Sequence, residues 1–327
     1  TSGGLFTCDR WRFDVGTMGT WTATQSTDVP TGSGFANSFR LDCTTADASP
    51  AAGDIAIFNT RLEGQDLQLF KKGTSSAEKF TLAFYVKSNK TGTYIAELDD
   101  NDNGRNVSQA YTISSANTWE KKVLSFPADT TGALGNDNGD SFRILWWLGA
   151  GSDHTSGTLS TAWASQTNAN RAVGVVNLAD STDNDWSITG IQLEVGEFDA
   201  NSIAPFQHES FGDNLARCQR YLYDPLRGSG SFGTLATGAC VNTTLCRAVL
   251  YAPAEMRTLP TIVSSGDLEV AGQGFAPTVT STAVSVRTGT QAMEVDFNVS
   301  SGLSNQAAAL VRRDNNDTAQ FRLDAEL

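Results

Sequence analysis

The chain has 327 residues, 39% of them hydrophobic, and a formal net charge of -13. That length allows a sizeable core and two domains, and the apolar content excludes a disordered chain. The acidic balance, with no basic run beyond two residues, excludes a nucleic-acid binder and docking on anionic lipid, and nothing approaches the roughly 20 apolar residues of a membrane span.

The chain opens on Thr1, with neither Met nor a signal stretch, which reads as a processed or truncated product with room for an anchoring segment upstream. Strands are expected at 38–43 and 54–62. In KFTLAFYVKS, Phe80, Leu82, Phe84 and Val86 share one face, while Thr81, Ala83, Tyr85 and Lys87 share the other. Further strands follow at 94–98 and 119–126. SFRILWWLG then sets Phe142, Ile144, Trp146 and Leu148 against Arg143, Leu145 and Trp147. SITGIQLEVG turns Ile191, Leu193 and Val195 inward and Gln192 and Glu194 outward. Turn clusters such as DDNDNG, GNDNGD and DSTDND separate these runs, because Asn and Asp tolerate the backbone angles of tight turns. The pattern predicts an all-β fold, with an antiparallel jelly-roll β-sandwich over residues 1–210.

One short linking helix is expected at 211–225, with Asp213 as its N-cap and Phe211, Leu215, Cys218 and Leu222 at helical spacing, ended by Asp224-Pro225. A helix this short is marginal alone, so it should pack between two β lobes. Strand-like runs resume at 245–251, 278–286, 292–299, 308–312 and 319–324, giving a smaller C-terminal β domain over 226–327. Its strand faces are small and polar, which predicts a tip or trimerisation domain completed by neighbouring chains. The five cysteines, Cys8, Cys43, Cys218, Cys240 and Cys246, form neither a disulfide framework nor a zinc pattern. Cys240 and Cys246 can face each other across a hairpin. Free thiols, and assembly in a reducing cytoplasm, are the expectation.

The junction IQLEVGEFDANSIAPFQHESFGDNLARCQRYLY resembles tail-fibre and related virion appendage proteins of tailed bacteriophages. There a strand ending in QLEVG leads through a PF segment into a short helix with CQRY. Gln192 to Gly196, Pro205 and Phe206, and Leu215 with Cys218 to Tyr221 carry the resemblance. CDRW at 8–11, WEKKVLSFPADTTG at 119–132, AEMRTLPTI at 254–262 and LDAEL at 323–327 are similar to other pieces of that family. The resemblance implies a virion location in tail or head, other virion proteins as partners, and a homotrimer. It transfers no catalytic residue, because the family is defined by architecture and place.

No nucleophile elbow, HExxH or P-loop is present, and the two histidines, His154 and His208, cannot supply a multi-histidine site. Carboxylates are plentiful, and a glycan-cleaving pair needs only two, about 5–9 Å apart, but most of these sit in Asp/Asn/Gly turns that explain them. In DDNDNG, Asp99, Asn101 and Asn103 alternate before Gly104 as in a calcium loop, although the twelfth position is Ala110 instead of an acid. A structural calcium ion at these three residues is the one cofactor expectation. Flat aromatic rings beside polar groups suit sugars, which makes Trp147 with Arg143, Tyr85 with Lys87, and the loop residue Trp163 the glycan-binding candidates. Core or subunit-interface packing is their alternative role. The leading reading is a non-enzymatic virion fibre that recognises a bacterial surface polysaccharide. Its alternatives are a head-decorating fibre of the same class and a carbohydrate-binding or glycan-depolymerising protein.

Overall fold

The computed structural model describes residues 5–8 (backbone only), 10–285 and 288–327. Thr1, the Cys8 side chain, Asp9 of the CDRW segment and Val286 of one expected strand lie outside the described residues. Two compact units divide between Gln207 and His208.

The first unit strings together β1 (Leu5–Cys8), β2 (Trp11–Gly16), β3 (Thr20–Ser26), β4 (Ser38–Thr45), β5 (Ile55–Glu63) and β6 (Phe80–Ser88). It continues with β7 (Gly92–Asp100), β8 (Arg105–Ile113), β9 (Glu120–Phe126), β10 (Asp140–Ala150), β11 (Ala164–Ser165) and β12 (Asp185–Val195). They form two sheets, β1-β2-β5-β10-β7-β8-β11 and β3-β4-β12-β6-β9, with neighbours antiparallel throughout. The fold is thus an all-β sandwich. Alternation places Phe58, Tyr94 and Trp146 of one sheet and Leu41, Phe84 and Trp186 of the other in a single apolar core. Ring pairs bridge the sheets there, including Phe58–Trp186 at 5.6 Å and Phe84–Trp146 at 5.6 Å between centroids.

A bulge interrupts β12 between Thr189 and Gln192. Gly190 sits inside it at φ +60°, in the left-handed region that favours glycine. The extra residue keeps Trp186 and Ile188 on the core side before the bulge and Ile191, Leu193 and Val195 on that side after it.

The second unit begins with the helix Phe211–Gln219, whose N-cap is Ser210, not Asp213. The Ser210 hydroxyl accepts the Asp213 backbone N–H at 3.2 Å. None of the helix residues is buried, and Phe211 is 83% exposed. The strands are β13 (Leu222–Tyr223), β14 (Thr234–Cys240), β15 (Leu245–Tyr251), β16 (Thr261–Ser265), β17 (Leu268–Ala271), β18 (Val279–Val284), β19 (Ala292–Val299), β20 (Ala308–Arg313) and β21 (Gln320–Asp324). They make sheets β13-β21-β16 and β17-β20-β14-β15-β19-β18. Although its strand faces read as small and polar, the unit has a core of its own, built around Met256, Met293, Val295, Phe297 and Phe321. Cys240 and Cys246 stand directly opposite each other, buried, with both thiols free.

Candidate functional site

The outer face of the first sheet is polar at one end and apolar at the other. Register aligns Arg61, Arg143, Asp99 and Asn106 in one row across β5, β10, β7 and β8. The next row holds Asn59, Leu145, Glu97 and Ser108, and the third Ile57, Trp147, Ile95 and Ala110. The connection between β10 and β12 lays Leu159, Ala172 and Val175 over Ile57, Ile95, Leu145 and Trp147.

Trp147 is therefore fully buried, and the expectation that it offers a ring to a sugar is corrected. Its Nε1 donates to Glu97 Oε2 at 2.6 Å, and the Arg171 guanidinium lies 5.2 Å over its ring. Arg171 also donates to Glu97 Oε1 at 2.8 Å, so both Glu97 oxygens accept a hydrogen bond. The His154 ring lies tilted at 42° to the same ring, 5.3 Å away, and burial, with Arg171 nearby, holds its imidazole below its ordinary value.

Arg143 is half-buried in a carboxylate fork, 2.6 Å from Asp140 and 3.7 Å from Asp99. Asp99 accepts Gln166 Nε2 at 3.0 Å. Burial, and the Glu97 charge beside it, push the Asp99 carboxyl up to about 6 against the pull of Arg171 and Arg143.

The three residues of the expected calcium loop engage different partners. Asp99 faces the arginines of the first sheet's outer side, Asn101 donates to the Asp140 carbonyl at 2.7 Å, and Asn103 donates to Asp100 at 2.9 Å. Among the described residues, no three His, Cys, Asp or Glu side chains are grouped to hold a metal ion. The oxygen-rich cradle beside this loop surrounds the buried ammonium of Lys72. That ammonium is paired with Asp100 and with Asp129 at 2.9 Å, and it donates to the carbonyls of Thr131 and Gly132, each at 3.0 Å. Burial works against the Asp129 charge, but hydrogen bonds from Arg105 and Lys72 outweigh it and hold that carboxyl below its ordinary value. Trp163 closes the cradle: its ring lies 5.0 Å from the Lys72 Nζ and its Nε1 donates to the Pro127 carbonyl at 2.8 Å. The ring packs against the sandwich core, which corrects the expectation of a free platform in a loop.

Tyr85 and Lys87 lie on the other sheet altogether, so the five expected binding residues do not share a face. β6 belongs to the second sheet and β10 to the first. On the second sheet's outer face, Tyr85 pairs across with Lys121 of β9 on one side and Thr189 of β12 on the other. The Tyr85 ring meets Phe35 edge-on at 5.8 Å, and Phe35 meets Phe206 at 5.0 Å. All three rings are half-buried. Gly190 permits this arrangement, since a Cβ there would lie 2.4 Å from Phe35 Cζ and 3.2 Å from Tyr85 Cδ2. The exposed Lys121 places its Nζ 5.9 Å from the Tyr85 centroid.

One step along β6, Lys87 pairs with Asp28 and stands 6.0 Å over the half-buried Trp119, whose Nε1 donates to Asp28 at 3.1 Å. The hydrogen bond from Lys87 holds the Asp28 carboxyl below its ordinary value. Aromatic edges, an exposed ammonium and a fixed carboxylate thus share one open face. Phe35, Lys121, Trp119 and Phe206 are not among the binding candidates read from the sequence. The alternation in EKKVLSF places Lys121 opposite to Leu124 and Phe126, but its partnership with Tyr85 depends on register.

No protein-family model matches the chain, and no curated protein matches it. Among solved structures, it is similar to the enzymatically active domain of bacteriophage CBA120 tailspike protein 4. The identity is 18%, over 57% of this chain and 19% of that one, with a TM-score of 0.32. It is also similar to a family 11 carbohydrate-binding module from Clostridium thermocellum (10% identity, 60% and 96% covered, TM-score 0.30). A third likeness is to a xylan-binding CBM22-1 domain of Paenibacillus barcinonensis Xyn10C (10% identity, 61% and 99% covered, TM-score 0.28). Likeness this loose carries no weight for ligand or activity.

Proposed function

We propose that the chain is a non-catalytic, glycan-recognising component of a phage virion appendage, a tail fibre or its head-borne counterpart, working as a homotrimer. The observation that carries the glycan reading is the open ledge of Tyr85, Phe35 and Phe206 with Lys121 beside it. Half-buried rings present apolar edges and faces to sugar C–H surfaces, while the neighbouring hydroxyls and ammonium groups engage sugar hydroxyls. The virion placement rests on the QLEVG, PF and CQRY resemblance. Single shallow sites of this kind bind weakly, and three copies on one rigid particle gain through effective concentration. Glu97 and Asp99, two neighbouring acids on the first sheet's outer face, already accept hydrogen bonds from Trp147, Arg171 and Gln166, which favours passive binding over cleavage.

The test is binding of the purified chain to host cells and to their surface polysaccharide. Tyr85→Ala is expected to lower apparent affinity about tenfold, the scale of losing one well-placed ring, with the melting temperature little changed. Undiminished binding by that variant would overturn the site, and release of oligosaccharides from the polysaccharide would overturn the passive reading.

A further inference from the structure

All seven lysines of the chain fall between Lys71 and Lys122, although the protein as a whole carries a net charge of -13. Six of them are spoken for. Lys71 pairs with Glu78, Lys72 with Asp100 and Asp129, Lys79 with Glu197, Lys87 with Asp28, Lys90 with Asp180, and Lys122 with Glu120. Lys121 alone has no carboxylate partner among the described residues. It is exposed, and it stands directly across the β6–β9 ladder from Tyr85.

From this we infer that the ledge takes an acidic glycan, one whose sugar ring packs on Tyr85 and Phe35 while its carboxylate pairs with Lys121. The inference rests on the glycan reading above and adds the ligand's charge to it. Lys87 does not serve the same purpose, because Asp28 already neutralises it and would repel an incoming anion. Among the described residues, Lys121 is the one position on this face where an anion gains a partner without displacing another. The protein's overall negative charge opposes an acidic polymer at long range. Physiological salt screens that repulsion within about 8 Å, whereas a contact pair on a half-buried ring is screened less. Selection of acidic sugars by this face is therefore a short-range effect.

The experiment is a glycan array probed with the full chain. It carries uronate- and sialate-bearing glycans, neutral glycans, and carboxyl-reduced forms of the acidic ones. The expected result is binding concentrated on the carboxylate-bearing glycans and lost on carboxyl reduction. Lys121→Gln is expected to weaken that binding about fivefold, the scale of one exposed ion pair, and Lys121→Arg to restore it. Binding to neutral glycans alone, or binding indifferent to carboxyl reduction and to Lys121→Gln, would overturn the acidic ligand and leave the glycan reading standing. Binding to no glycan of either kind would remove both.

Discussion

Asp99 shows how one buried position couples to pH. Its carboxyl titrates near 6 in the fold, against about 4 in an unfolded chain. A raised carboxyl pKa means that the folded state holds the proton more tightly. The associated stability is fully present below about pH 4 and is lost as pH rises through about 6. Asp99→Asn cannot titrate, and its amide can still accept from Gln166. Relative to the wild type, this variant is expected to gain about 2–3 kcal/mol between pH 4 and pH 7.5, read from urea unfolding at a series of pH values. Parallel pH curves for the two proteins would show that Asp99 ionises without cost.

Gly190 is where an element's geometry shapes the binding face. The bulge in β12 keeps the core-facing alternation on both of its sides, and the missing Cβ leaves room for Phe35 to lie against Tyr85. Gly190→Ala imposes a left-handed backbone cost of about 1–2 kcal/mol and also drives Phe35 off the ledge. Gly174 provides the control, having φ +86° and nothing within 4 Å of its would-be Cβ. Both variants are expected to lower the melting temperature, but only Gly190→Ala should also weaken glycan binding. Equal binding by the two would detach Phe35 from the site.

The same elements show what a linear reading can reach. β6, β10 and β12 were legible because their alternation of large apolar residues is strong, and with them the sandwich class. β2 and β8 were not, since WRFDVG and RNVSQAYTI intersperse polar side chains, some of which meet their partners only far along the chain. Asn59 reaches Asp14 at 2.9 Å, and Ser108 donates to the Arg171 carbonyl at 3.0 Å. Trp147 was placed on the correct side of its strand. Its burial comes from a Gly/Ser-rich connection without periodicity, whose few apolar residues find that face only in three dimensions. The Tyr85 ledge was half legible for the same reason: β6 is local, whereas Phe35, Lys121 and Phe206 arrive from three other segments.

At the scale of the whole molecule, the two units have separate apolar cores, and the seven tryptophans and seven lysines all belong to the first. Residues 1–207 alone are expected to fold, to show the tryptophan-emission unfolding transition of the full chain, and to keep single-site affinity for the glycan. Calorimetry and titration on that piece check this directly. A chain of 1–207 with solvent-exposed tryptophan emission would show that the second unit's core is needed for the first. Multivalent gain, measured on intact particles, is the property that the piece should lack.

The cage around Lys72 sets how one corner of the sandwich meets its surroundings. Its counter-charge is carried on the polypeptide, as the Asp100 and Asp129 carboxylates, so that corner is complete as soon as the strands close over it. Dilution, a chelator or a change in the ion content of the medium can take nothing from it.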